Sequence, residues 1–341
     1  MSLKNLNVIK TPKNLRLKLS NKKIQRLFKN FEKNFNIQEA FIVAVSGGPD
    51  SLCLAFLSKV YSLKNKLNSR YFIIDHALRA ESKNEAILTK KRLKKVFINA
   101  KILTWKGKKP KNNIQSIARS KRYELLLNQC KNSNIKHILL GHHSDDLLEN
   151  FLIRMLRGSG LRGLTSFGSS NTNGNIKLLR PLTVFDKNQL VLFTKKIFGK
   201  YIQDPSNFDE KFKRIKIRNL LGSLKSEGFD KKKFLLTVQN LKSSDKTIKH
   251  YVQENLLNNS FYNVKKQSII LNSNFLKCTD EVAFRSFSEC LREISKNYYF
   301  ARGKKIERVL YEIKNKKDYK TTIGGCLVRK IEKTIIICKE K

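Results

Sequence analysis

From residue 40 onward, short apolar runs alternate with longer stretches of helical periodicity. Phe41–Val45 is a compact β-prone run, followed at once by the small residues of Ser46–Ser51 and an apolar-rich helix over Leu52–Val60. Tyr71–Asp75 is the next run, then a charged amphipathic stretch over Ser82–Phe97, the run Lys101–Trp105 and a long helical pattern over Ile114–Asn132. His137–Gly141 and a helix over Ser144–Leu156 complete the series. Strand and helix alternating at this spacing predict a parallel sheet covered on both faces. Ligands of such sheets bind at the carboxyl ends of the strands. Residues Gly158–Asn175, rich in Gly, Ser, Thr and Asn, read as a loop. Arg180–Pro181 and a helix over Lys187–Phe198 follow, and the first domain ends near Leu221.

Beyond Glu227 the pattern changes. Helical stretches occupy Lys231–Leu257, Asp280–Lys296 and Lys304–Asn315, with β-prone runs at Ser268–Leu271, Cys326–Ile331 and Thr334–Cys338. The sequence therefore predicts a basic N-terminal arm and helix over 1–39, with the helix near Lys22–Phe35. An α/β domain over 40–225 and a smaller α+β domain over 226–341 follow. No internal repeat is visible.

Composition adds one unusual feature. Hydrophobic residues make up 40% of the 341, ordinary for a folded chain, but 71 Lys+Arg against 27 Asp+Glu leave a formal charge of +44. Such an excess concentrates polyanions around a protein and speeds their capture. Biased codon usage explains Lys standing for Arg, but not the scarcity of acids. Nucleic-acid binding is expected, with DNA and RNA equal on this ground alone. The six cysteines, Cys53, Cys130, Cys278, Cys290, Cys326 and Cys338, are scattered without a C-x-x-C pair. They predict reduced core residues rather than a zinc site, an iron–sulfur cluster or a disulfide framework. No apolar run reaches the roughly 18 residues of a membrane span. The basic N-terminal segment lacks the apolar centre of a leader, so a cytoplasmic location is expected.

The strongest chemical signal is Ser46-Gly47-Gly48-Pro49-Asp50-Ser51 between a strand and a helix. Paired glycines let the backbone approach a ligand and turn its N–H groups inward, and the helix adds its positive end. This nest suits phosphate or pyrophosphate, with Pro49 stiffening the turn and Asp50 either capping the helix or contacting Mg²⁺. A plain tight turn with a helix cap is the simpler alternative. The Walker pattern is absent, which excludes an ordinary kinase or GTPase loop. Later strands end in Asp75-His76 and in Gly141-His142-His143-Ser144-Asp145-Asp146, with Gln115–Arg119 and Arg122-Tyr123 between them. Singly, Asp75 or His76 reads equally well as a cap or a satisfied polar group. Paired carboxylates opening a helix can hold Mg²⁺, orient a ring nitrogen or take a proton.

These pieces together resemble the tRNA(Ile)-lysidine synthases, a branch of the PP-loop (N-type ATP pyrophosphatase) superfamily. The matching segments are SGGPDS at 46–51, DHALRAES at 75–82, QSIARSKRYELL at 115–126, GHHSDDLLEN at 141–150, RMLRGSGLRGL at 154–164, RPL at 180–182, DPSN at 204–207 and IRNLL at 217–221. The resemblance implies a Rossmann-like PP-loop domain that binds ATP through Ser46–Ser51 and uses Mg²⁺. It implies that the wobble cytidine of a CAU-anticodon tRNA(Ile) is adenylated and that L-lysine then displaces AMP to give lysidine. By position it puts Asp75 and His76 beside adenine and ribose, Arg119 facing the phosphates, and Asp145 and Asp146 along the cytidine and lysine site. His142, His143 and Arg157 fall on the substrate side, with the Gly158–Gly163 loop closing over it. Lys211, Arg214 and Arg218 form a basic RNA-contacting run around Phe212, for which a solvated helix face is the simpler alternative. The chain departs from the family pattern at Leu147, Asn150 and the loosened Arg214-Ile215-Lys216-Ile217-Arg218. Its C-terminal domain resembles the family's first accessory domain in Gly324-Gly325-Cys326 and the β-prone end. The family precedent implies a monomer or homodimer. The rival readings are a PP-loop tRNA thiolase, a small-molecule synthetase and a non-enzymatic RNA-binding protein.

Overall fold

In the computed structural model, which describes residues 13–107, 110, 112–167, 170–173, 175–203, 213–296 and 301–340, the alternating pattern becomes a twofold division of the chain after Lys231. The first unit opens with helices α1 (Lys13–Leu19) and α2 (Lys22–Lys33). The expected N-terminal arm is thus partly helical, because Leu15 and Leu19 lie four residues apart and both bury. Asn21 caps α2 by accepting from the N–H groups of Lys23 and Ile24 at 3.0 and 3.4 Å. Ile24, Phe28 and Phe31 on one face of α2 are buried.

The rest of the unit comprises β1 (Phe41–Val45), α3 (Pro49–Lys64), β2 (Ser69–Asp75), α4 (Ser82–Lys94), β3 (Ala100–Thr104), α5 (Ile114–Ser133), β4 (His137–Leu139), α6 (Ser144–Met155), α7 (Leu161–Thr165), β5 (Ser170–Asn173), β6 (Ile176–Leu179), α8 (Lys187–Phe198) and α9 (Lys213–Ser226). The strands form one sheet in the order β3-β2-β1-β4-β6-β5, with every neighbouring pair parallel except β5 against β6. This is the parallel, helix-covered sheet expected from the pattern. Alternation along β1 shows how it is covered. Phe41, Val43 and Val45 enter a core with α2, α3 and α8, whereas Ile42 and Ala44 enter a second core with Leu126 and Cys130 of α5. Both faces bury, so β1 reads as a continuous apolar run.

The segment 158–175, expected to be loop throughout, instead contains α7 and β5. β5 has no apolar residue to announce it, and its register comes from pairing Ser170 to Asn173 antiparallel with β6. β6 itself was absent from the pattern reading because Ile176–Leu179 is too short to separate from its surroundings.

After β1 the chain builds outward through β2 and β3, then returns to place β4 on the other side of β1. Such a reversal opens a crevice at the carboxyl ends of the two central strands. Further along α6 lies Glu149, a buried carboxylate on a helix that also buries Leu147, Leu148, Phe151 and Leu152. Arg218 of α9 answers it, with Nε donating to Glu149 Oε1 at 2.5 Å.

The second unit contains α10 (Lys231–Asn259, of which Lys231 belongs to the first unit), β7 (Ser260–Asn263), β8 (Ser268–Leu271), α11 (Asp280–Ser295), α12 (Gly303–Asn315), β9 (Tyr319–Ile323), β10 (Cys326–Ile331) and β11 (Thr334–Lys339). Its sheet, ordered β7-β8-β11-β10-β9, is antiparallel throughout. Buried residues of α11, including Phe287, Cys290 and Leu291, share its core with Leu271, Val328 and Ile337 of the strands. This is the small α+β body expected at the C-terminus. β7 and β9 were not anticipated: both are edge strands whose alternation is weak. Within this unit, the Arg285 guanidinium is buried against Asp245 at 2.5 Å. Among the described residues, no helix is long and apolar enough to cross a membrane.

Removing Arg218 isolates a buried charge. Arg218→Ala is expected to lower the unfolding free energy by about 2–3 kcal/mol, near the low end for a broken buried pair, because Arg218 keeps 32% of its side chain exposed. Adding Glu149→Gln should recover part of that loss. Urea denaturation of the two variants against the parent chain checks both statements.

Candidate active site

The turn after β1 is braced from within. Ser51 Oγ accepts from the Ser46 N–H at 3.1 Å, lies 3.2 Å from Ser46 Oγ, and donates to the Gly48 carbonyl at 3.0 Å. Gly47 has φ +85, and a Cβ there would meet Thr89 Oγ1 at 2.4 Å and Ile202 Cγ1 at 2.9 Å. Only glycine fits on both counts. The Gly47 carbonyl also accepts from the Ile202 N–H at 2.9 Å, which ties the turn to the chain leaving α8. Gly48 is the N-cap of α3 without a side-chain cap bond, and Pro49 opens the helix. The positive end of α3 therefore faces the crevice with no side chain capping it.

Asp50 sits in the first turn of α3. Burial raises its carboxyl above the ordinary range; His143 pulls it down, Asp146 pushes it up and Lys187 pulls it down. Its Oδ1 is buried with no hydrogen-bond partner among the described residues.

The turn after β4 comes close to this loop. A Cβ on Gly141 would lie 3.0 Å from Ser51 N and Cα, so the two turns pack backbone to backbone. His143 follows as the N-cap of α6. Its N–H donates to Asp146 Oδ2 at 3.0 Å, and its Nδ1 accepts from the Asp145 N–H at 3.2 Å. With Nδ1 accepting, the ring proton resides on Nε2. That nitrogen is 3.5 Å from Asp146 Oδ2 and 3.7 Å from Asp50 Oδ2. One buried imidazole thus gathers a carboxylate from the β1 turn and two from the β4 turn, since Asp145 Oδ2 is 3.5 Å from Nδ1. Asp145 Oδ2 also accepts from the Lys187 N–H at the start of α8, and its Oδ1 takes the Lys231 ammonium at 2.6 Å. Burial alone would raise the Asp145 carboxyl, but the Lys231 hydrogen bond and charge, with Lys187 and His143, hold it below the usual range.

Cations cover the other side. Burial pushes the His142 imidazole down to about 3; Asp146 opposes this, and Arg180, Arg119 and Arg122 add to it. The ring is therefore neutral at ordinary pH, and its buried Nδ1 has no partner among the described residues. His142 meets Phe167 edge to face at 5.3 Å, and Arg180 lies over the same ring at 4.7 Å. Arg119 of α5 donates to Tyr123 Oη at 3.2 Å. Asp75, at the end of β2, is buried and accepts from the Ala77 N–H at 2.9 Å, which holds the turn where Ala77 has φ +49. The adjoining His76 has a buried Nδ1 without a partner among the described residues. Burial first, and Arg122 second, lower its pKa against the opposing effect of Asp75.

The structure thus brings Ser46, Gly47, Gly48, Pro49, Asp50, Ser51, His143, Asp145 and Asp146 to one crevice, with His142, Asp75, His76 and Arg119 at neighbouring strand and helix ends. Arg157 is exposed on the turn that follows α6. Arg218 is occupied by Glu149. Lys211 and the 204–207 segment lie outside the described residues, as does the side chain of Arg214. Sequence reasoning missed Lys187 and Lys231, which reach Asp145 through tertiary packing, and Asp186, which shares Lys231 with it. It also missed Glu149, although an acid on the apolar face of a helix signals a buried partner. The buried Asp50 Oδ1 is a hard oxygen donor of the kind a divalent cation takes, while the described residues hold no group of three or more potential metal ligands.

Comparison with known proteins agrees with this geometry. The family model of the PP-loop domain matches residues 18–224. The chain is 32% identical over 323 residues to a tRNA(Ile)-lysidine synthase of Wolbachia sp. subsp. Brugia malayi (strain TRS), covering 93% of this chain and 74% of the relative. It is 34% identical over 325 residues, with the same coverages, to the tRNA(Ile)-lysidine synthase of Wolbachia pipientis wMel. Among solved structures, the U34-tRNA thiolase NcsA from Methanococcus maripaludis with its 4Fe-4S cluster has a TM-score of 0.56 at 16% identity, over 65% of this chain and 78% of that one, a likeness of fold alone. A nucleotide-type turn, an acid pair in the same crevice, and identity that runs through both units converge: the chain belongs to the PP-loop proteins and, among them, to the tRNA(Ile)-lysidine synthases.

Proposed function

We propose that the protein joins L-lysine to C2 of the wobble cytidine of CAU-anticodon tRNA(Ile), at the expense of ATP, in two steps at the crevice between β1 and β4. The reading rests on one observation: Asp50 of the β1 turn and Asp145 and Asp146 of the β4 turn all lie within 3.7 Å of a nitrogen of the same His143 ring. A site that receives a triphosphate at one turn and an amine at the other needs this adjacency.

In the first step the cytidine C2 oxygen attacks the α-phosphorus, an O–P bond forms, and the bond to pyrophosphate breaks. Ser46–Ser51 and the open end of α3 hold the phosphates, and Arg119 balances the charge that gathers on them. Asp75 and His76 flank the nucleoside. Asp50 would hold Mg²⁺, which would supply further charge neutralisation at the phosphates. In the second step the lysine nitrogen forms a bond to C2 while the C–O bond to AMP breaks. The amine arrives as an ammonium and must lose protons. Asp145, kept anionic, suits binding of that ammonium; Asp146, one residue on and beside the neutral His142, suits receipt of a proton. We assign His142, His143 and Arg157 to the substrate and, from their place in the sequence alone, Lys211 and Arg214 to RNA, whereas Arg218 is held by Glu149. Residues 1–39 serve as an N-terminal arm and helix, 40–225 as the catalytic domain, and 226–341 as a tRNA-binding accessory domain. The enzyme works in the cytoplasm as a monomer or homodimer.

The thiolase alternative needs a reactive sulfur at the crevice. The nearest cysteine in sequence, Cys53, is fully buried, and burial first and Asp50 second push its thiol well up. A thiolate nucleophile at that position is disfavoured.

Mass spectrometry of a CAU-anticodon tRNA(Ile) incubated with the protein, ATP, Mg²⁺ and lysine should find a lysine-sized gain on the wobble base without any sulfur donor. An unmodified base under these conditions refutes the reading. The half-reactions separate the acids. Asp145→Asn should keep tRNA adenylation while weakening lysine transfer, by roughly 10²-fold or less, and Asp146→Asn should slow transfer at saturating lysine. Pyrophosphate release and AMP release, measured apart, check the division. Chelation should abolish adenylation and added Mg²⁺ restore it, with Asp50→Asn shifting the restoring concentration upward in a metal titration.

A further inference from the structure

The chain supplies its own ammonium to the carboxylate that the reaction needs for its substrate. Lys231 Nζ lies 2.6 Å from Asp145 Oδ1 and also contacts Asp186 Oδ1. Both carboxylates are fixed at the start of α8 before any cation arrives. Asp186 is the N-cap of that helix, and Asp145 Oδ2 accepts from the N–H of Lys187. What remains is a small anionic notch, and a primary ammonium on a four-carbon stem fills it. The side chain of free lysine ends in the same group.

We propose that Lys231 is a tethered competitor of the lysine substrate: its ammonium occupies the Asp145 notch between turnovers and must leave before the substrate's ammonium can bind there. This rests on the reading of Asp145 as the ammonium-binding carboxylate. Two ammonium groups cannot share one carboxylate oxygen at hydrogen-bond distance without strong mutual repulsion. Because Lys231 is part of the chain, it competes at an effective concentration on the order of millimolar, the scale at which a free amino acid has to compete. It can also be displaced. Lys231 keeps 22% of its side chain exposed and Asp186 57%, and an ion pair open to water to this degree is weakly held. While in place, Lys231 offsets the repulsion among Asp50, Asp145, Asp146 and Asp186, which would otherwise draw adventitious cations into the crevice.

Equilibrium binding of radiolabelled L-lysine to the full chain tests this. A competitor that fills a notch roughly nine-tenths of the time weakens the apparent affinity about tenfold. Lys231→Met is therefore expected to bind L-lysine several-fold to about tenfold tighter than the parent, and Lys231→Arg, which keeps a cation, to bind it like the parent. A Lys231→Met protein with native melting and unchanged or weaker lysine binding overturns the proposal. Should Lys231→Met fail to fold, Lys231→Gln decides, since it keeps a polar end on the stem and removes the charge while leaving both carboxylates of the notch intact: tighter lysine binding supports the competitor, unchanged binding overturns it. Pyrophosphate release with ATP and tRNA, without lysine, is measured alongside on the parent. Its absence overturns the proposed reaction, while the binding arm still decides the role of Lys231.

Discussion

The site depends on a backbone contact. Gly141 runs so close to the first turn of α3 that a single added carbon would press on Ser51 at 3.0 Å. Any side chain there would separate the turn after β1 from the turn after β4. The separation would pull Asp50 away from Asp146, and His143 could no longer face both. Sheet topology sets up the encounter, because the reversal of strand order puts β1 and β4 side by side with both carboxyl ends pointing into the same crevice. Glycine then lets the approach become contact.

Around that contact the charge divides. Acids from three elements, α3, α6 and the cap of α8, crowd toward His143 and Lys231, whereas Arg119, Arg122 and Arg180 act on His142 from the other side. A reaction that handles a polyanionic nucleotide and a cationic amine in one place requires both signs within a few ångströms. Both signs act on the neutral His142, where Asp146 opposes Arg180, Arg119 and Arg122.

Much of this was legible in the sequence because the informative residues are local. The β1 turn declares itself through two glycines between an apolar run and a helix, and the β4 turn through two histidines and two acids in a row. Period and length sufficed for β1 to β4, whose apolar runs are separated by long helical stretches. Tertiary partners were not legible. Nothing near Asp145 in sequence points to Lys187 or Lys231, and nothing near Glu149 points to Arg218, since packing of distant helices creates those pairs. Arg218 is instructive: counted in the sequence as one more cation of a basic run, it is bound internally to a buried acid, so a charge tally overstates the surface left for RNA. β5 escaped notice for a different reason. Its residues carry no hydrophobic alternation, and only the open side of β6 makes a strand of them.

That strand has a bearing on how the protein survives in a crowded solution. A parallel sheet ending at β6 would leave a row of main-chain donors and acceptors able to recruit a strand from another molecule. By folding back antiparallel, β5 takes up those groups itself. What it presents outward is the edge of a segment spelled Ser-Asn-Thr-Asn, without an apolar residue to reward stacking. The edge passes from β6 to this polar strand, and self-association by strand addition is discouraged on the flank where a growing parallel sheet would otherwise continue.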